Sequence, residues 1–136
     1  MNVDSKQLKR KAESRGISTN GKEGYERHIL LGTGKKEKNA CCGSIDGHKT
    51  WKYLGKGLKD REKQGRYFYR TEAECLMFCK GGPLAVVDPE GIWYHSVTPE
   101  VCDRIIQEHL LDGKPVIDFA FARNPLVQVG LEKSPY

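Results

Sequence analysis

The sequence predicts an α/β sandwich: a mixed sheet of four or five strands backed by two main helices, with a helical extension at the N-terminus. Three observations carry this expectation. Short apolar runs of strand length recur at 27–31, 67–69, 84–87, 92–96 and 116–121. Two intervening stretches, 48–63 and 98–113, repeat their apolar residues at helical spacing instead. A chain of 136 residues, 38% hydrophobic and 30% charged, has material for one modest core with some length to spare.

Residues 4–15 read as a short helix with Asp4 as N-cap, Val3 and Leu8 placed for a hydrophobic staple, and Gly16 ending it. Ala12 is its one further apolar residue. So narrow a stripe holds a helix weakly, and an isolated helix of this length is marginal in water, so ordering against a partner is expected. Residues 18–24 read as a linker. The expected units are an extension over 1–25, a domain over 26–127 and a tail over 128–136.

The strand at 27–31 ends at Gly32-Thr33-Gly34, and a charged loop carrying Cys41-Cys42 follows. Trp51, Leu54 and Leu58 mark the apolar face of the next helix. Gly55 and Gly57 each cost it about 1 kcal/mol relative to alanine, and are read as permitting close approach by the sheet. After the aromatic strand 67–69, Thr71 with Glu74 has the form of a capping box that starts a helical turn through 75–79. The run 84–87 reads as a central strand covered on both faces. Asp88-Pro89-Glu90-Gly91 turns it back into 92–96.

Thr98-Pro99-Glu100 opens a helix as cap, first-turn proline and acidic residue near the positive end of the dipole. Its core stripe is Cys102, Ile105, Ile106, His109 and Leu110, and Gly113 closes it. An edge strand at 116–121 follows. A thioredoxin-like arrangement satisfies this order of elements.

The formal net charge is +5, and its distribution is uneven. Residues 1–38 hold ten Lys and Arg against five Asp and Glu, while residues 39–136 hold thirteen of each. A basic extension on a neutral body suits nucleic acid, an acidic protein or an anionic membrane surface; the plainer reading is a solvated leader. No apolar run approaches the roughly 18 residues that span a bilayer, and the polar start lacks a signal peptide's apolar stretch, so a cytoplasmic protein is expected.

Five cysteines in a reducing compartment point away from a disulfide framework. Cys41-Cys42 and Cys75-x3-Cys79 form two pairs in or beside loops, and Gly81-Gly82-Pro83 follows the second. Two thiolate pairs suit zinc or an iron–sulfur cluster, since soft ligands select those. The chain has no Cys-x2-Cys, which disfavours a zinc knuckle and a thioredoxin-type redox motif. Cys102 reads as core, as does a half-buried His109, and His95 lies on a strand. His28 and His48 flank the thiols and offer nitrogen ligands. Without a Gly-x-Ser-x-Gly elbow, a phosphate loop or a His-Glu-x-x-His pattern, the chain does not read as an enzyme.

The set His28-Ile29-Leu30-Leu31, Cys41-Cys42, Cys75-x3-Cys79-x-Gly81-Gly82-Pro83, Ala85 to Tyr94, Thr98-Pro99-Glu100-Val101 and Ile105 to Leu110 resembles the thioredoxin-like [2Fe-2S] ferredoxins over about 27–126. The wording is similar to that of cyanobacterial members. The resemblance implies a one-electron carrier docking transiently on a redox partner. It also implies a [2Fe-2S] cluster ligated by Cys75, Cys79 and Cys41 or Cys42. The family's first ligand falls on Gly32, which has no side chain to give. Cys41 and Cys42 together, or a histidine, a water or a partner, would then complete the site. Alternatively the fold persists without the cluster, as a protein-binding, assembly or regulatory module using its basic extension. The partner expected is a redox or assembly protein with an acidic surface, with no specific nucleic acid.

Overall fold

The computed structural model describes residues 3–34, 44–76 and 81–126. Its elements are α1 (Ser5–Ser14), β1 (His28–Gly32), α2 (Ser44–Lys63), β2 (Tyr69–Ala73), β3 (Ala85–Asp88), β4 (Ile92–Tyr94), α3 (Pro99–Arg104) and β5 (Ala120–Arg123). A π-helical turn, Ile105–Leu110, prolongs α3, and a 3-10 turn, Ile117–Phe119, leads into β5. The sheet runs β2-β1-β3-β4-β5. β1 and β2 are parallel, with Gly32 opposite Ala73, and the other three pairings are antiparallel.

Strand alternation sends Ile29, Leu31, Ala85, Val87, Ile92 and Tyr94 into one core with Leu54 and Leu58 of α2 and Val101, Cys102, Ile105, Ile106 and Leu110 of α3 and its prolongation. The central position of β3 is as expected: Leu84 through Val87 are all buried. The cap of α3 also forms as read, with Thr98 Oγ1 accepting from the Val101 N–H at 3.3 Å.

Several expectations shift. β2 begins at Tyr69, two residues after its expected start, and Thr71 lies mid-strand. Its hydroxyl meets His28 Nε2 at 2.7 Å, so no capping box forms. The parallel ladder to β1 satisfies a whole row of backbone groups, which outweighs a single local cap. At the other edge β5 starts at Ala120, because Val116 is buried with its N–H donating to Tyr94 Oη at 3.0 Å, and a 3-10 turn intervenes. The turn expected over 75–79 lies partly outside the described residues, and the tail 128–136 lies wholly outside them.

α1 is capped by Asp4, whose carboxylate accepts from the Lys6 and Gln7 amides, and it ends at Gly16 with φ +79°. Val3 and Leu8 are 64% and 56% exposed, so no staple covers them, and no residue of α1 is buried. In α2 the two glycines do admit close neighbours, though not the sheet backbone. A Cβ at Gly55 would lie 2.7 Å from the Arg70 guanidinium carbon, and one at Gly57 2.8 Å from Ile106 Cδ1.

Gly91 closes the β3–β4 turn at φ +69°, its N–H donating to Val87 O at 2.8 Å and its carbonyl accepting from Asn124 at 2.7 Å. A Cβ there would collide with the Asn124 carbonyl. Gly91→Ala should therefore cost about 3 kcal/mol, the sum of left-handed strain and a displaced strand end, measurable by urea unfolding. A loss below about 1 kcal/mol would mean that the Asn124 segment yields freely.

Candidate functional site

Five segments converge at one end of the sheet. The ladder continues past β1, with Thr33 N–H donating to Ala73 O at 2.8 Å and Gly34 N–H to Glu74 O at 3.0 Å, which delivers Cys75 beside the end of β1. Gly32 N–H donates to Leu84 O at 2.9 Å, tying in the segment before β3. Ser96 and Val97 amides hold Gly81 O and Pro83 O at 2.8 and 2.9 Å, while Thr50 Oγ1 of α2 donates to Val97 O at 2.7 Å. The start of α2 presses on the same place: a Cβ at Gly47 would lie 2.7 Å from Thr33 O. The described residues before 77 and after 80 are thus both anchored by backbone hydrogen bonds.

Of the expected ligands, Cys75 is partly exposed at this end of the sheet. Cys41, Cys42 and Cys79 lie outside the described residues. Gly32 is buried, yet a Cβ added to it would meet Leu76 Cγ at 3.5 Å and Leu84 O at 3.6 Å, ordinary contact distances. The position lacks a side chain and retains room for a Cβ. The one described donor here is soft, the Cys75 thiol, and the sequence holds three more cysteines at 41, 42 and 79. This donor set fits a thiolate-ligated iron–sulfur group.

His28 does not join them. It sits at the far end of β1, about 13 Å from Gly32 along an extended strand, with its ring edge-on to Tyr25 and Tyr69. His48 is exposed on α2. Among the described residues no group of three or more His, Cys, Asp or Glu is disposed to hold a metal. Cys102 is fully buried, and burial pushes its thiol up to about 12, so it packs and stays protonated.

His109 is wholly buried, beyond the half-burial its pattern suggests. Its Nδ1 meets Tyr94 Oη at 2.7 Å and its Nε2 meets Glu90 Oε1 at 2.9 Å, where Arg27 Nε also donates at 2.9 Å. Burial lowers its pKa, against the pull of Glu90, and pushes Tyr94 up to about 12. A neutral imidazole accepting from the tyrosine and donating to the carboxylate satisfies every member. This Arg27–Glu90–His109–Tyr94 network escaped the sequence reading. The one hint was a histidine on a strictly apolar stripe.

No family model matches the chain. It is 46% identical over 46 residues to a 2Fe-2S ferredoxin of Aquifex aeolicus and 40% identical over 42 residues to one of Clostridium pasteurianum. These matches take in 34% and 31% of this chain, and 41% of each relative. The chain thus spans less than half the length of the curated relatives it matches. Among solved structures, the thioredoxin-like [2Fe-2S] ferredoxin from Aquifex aeolicus superposes with a TM-score of 0.64 at 23% identity, covering 77% of this chain and 99% of that one. The fold is thioredoxin-like. A cysteine-to-serine variant of the same ferredoxin gives a TM-score of 0.63 and covers 71% of this chain. Among the described residues no helix is long and apolar enough to cross a membrane.

Proposed function

We propose that this chain is a one-electron carrier of the thioredoxin-like [2Fe-2S] ferredoxin kind, with Cys41, Cys42, Cys75 and Cys79 as the cluster ligands. The observation that carries the reading is the arrival of Cys75 at the sheet end formed by Gly32 and Leu84, on a thioredoxin-like fold. The local identity to 2Fe-2S ferredoxins supports it. When bound, the cluster supplies one-electron redox chemistry. The chain's own part is to present thiolates and to keep water from them with Leu76 and the buried Leu84. Backbone hydrogen bonds hold Glu74 and Gly81, the described residues on either side of the Cys75-x3-Cys79 motif. Cys41 and Cys42 together stand in for the thiolate that Gly32 does not supply, a departure belonging to a member with cyanobacterial-type wording. The domain spans 26–127, between an extension over 1–25 and a tail over 128–136. It works in the cytoplasm as a carrier rather than an enzyme, docking transiently on a partner with an acidic surface.

Gly32 favours one other reading, a cluster-less module that binds its partner through the basic extension. Anaerobic purification separates the two. A carrier gives a coloured protein with about two iron and two sulfide per chain. A colourless protein without stoichiometric iron removes the carrier and leaves the module.

A further inference from the structure

A groove of about 760 Å³ lies beside β2, walled by the last turns of α2, by residues 67–70 and by Arg15 at the end of α1. It is cationic: Arg15, Lys59, Lys63 and Arg70 line it against the single carboxylate of Glu62. Arg70 is committed to the fold, its guanidinium 3.7 Å from the Trp51 ring centroid and donating to Trp51 O at 2.6 Å. The other three cations form no ion pair with any described carboxylate. The wall is also fixed in place, since Gly16 seats α1 directly on the Tyr67 ring.

β2 is an edge strand. Tyr69 turns its N–H inward to Arg27 O at 3.0 Å, and main-chain groups alternate in direction along a strand, so those of Arg70 face the open edge. An open edge recognises another peptide backbone, which brings both N–H and C=O groups. A DNA backbone brings acceptors alone. We propose that this groove takes an extended acidic segment of a protein partner, added beside β2 with its carboxylates against Arg15, Lys59 and Lys63. Tyr67 and Cys75 flank β2 at opposite ends, so a segment held here leaves the cysteine end open. The proposal deepens the acidic-partner reading above. Its test is separate, because peptide binding reports on the groove whatever the iron content.

The full chain is titrated into a fluorescein-labelled oligoglutamate peptide and followed by anisotropy, beside a backbone N-methylated peptide of the same sequence and an oligothymidylate. Lys59→Glu with Lys63→Glu, both at exposed positions, should weaken peptide binding about tenfold. Lys6→Glu with Lys9→Glu makes the same charge change on α1 outside the groove and should leave binding within about twofold. Circular dichroism checks that both variants keep the fold. Equal weakening by the two pairs would reduce the effect to diffuse charge and overturn the groove. Undiminished binding of the N-methylated peptide would overturn the strand pairing, and tighter binding of the oligothymidylate would overturn the peptide.

Discussion

Tyr94→Phe should destabilise the protein by about 3 kcal/mol, although it removes one oxygen atom. That oxygen accepts from the buried Val116 N–H and donates to His109 Nδ1, so its loss strands two buried polar groups, each costing about 1 to 3 kcal/mol. Denaturant unfolding of the two proteins at pH 7.5 gives the difference; a loss under about 1 kcal/mol would mean that water replaces the hydroxyl. The same network makes stability depend on pH. Burial holds His109 below its ordinary value of 6.5, so below that pH the unfolded chain takes up a proton sooner than the native one. Native stability is fully present above about pH 6.5 and falls as pH drops below it. Glu90, also held below its ordinary value, loses its contribution only in more acid solution, and His28, lowered by burial, adds a fall of its own in the His109 window. His109→Phe should flatten the profile between about pH 5 and 6.5 without abolishing it. An unchanged slope would locate the acid sensitivity elsewhere.

Cys41→Ser and Cys42→Ser should each lower iron content or cluster lifetime about tenfold, if both thiols are needed. Adding Gly32→Cys to either variant should recover most of the loss, because a Cβ at 32 meets its neighbours at ordinary contact distances. Rescue would show that position 32 still opens onto the cluster. Lowered iron without rescue would mean that the sheet end has closed around Leu76. If neither single substitution lowers iron, the adjacent pair does not supply two ligands.

The hairpin at Gly91 and the start of α3 were legible in the sequence because their signals are local: a turn residue with the required φ, and a hydroxyl three residues before the amide it caps. β2 was harder to place. Thr71 and Glu74 carry a genuine helix-start pattern, and only pairing with β1, about forty residues earlier in sequence, overrides it. β5 was displaced for a similar reason, since Val116 answers to Tyr94 rather than to its neighbours. At the cysteine end, sequence spacing could pick out the thiols. It could not reveal that Gly32, Gly47 and Leu84 close around one spot, because that depends on sheet register. The groove beside β2 was out of reach altogether: Arg15, Lys59 and Lys63 read as separate surface charges until Gly16 meets Tyr67.

That contact holds α1 by one end. Ten helical residues extend about 15 Å, whereas electrostatic fields at physiological salt decay over about 8 Å. Lys6, at the outer end and about 13 Å along the helix from Arg15, is therefore largely screened from the charges around the groove. Lys9, Arg10 and Lys11 fill the space between, so an approaching anion meets a graded run of charge that leads from the arm to the body of the domain.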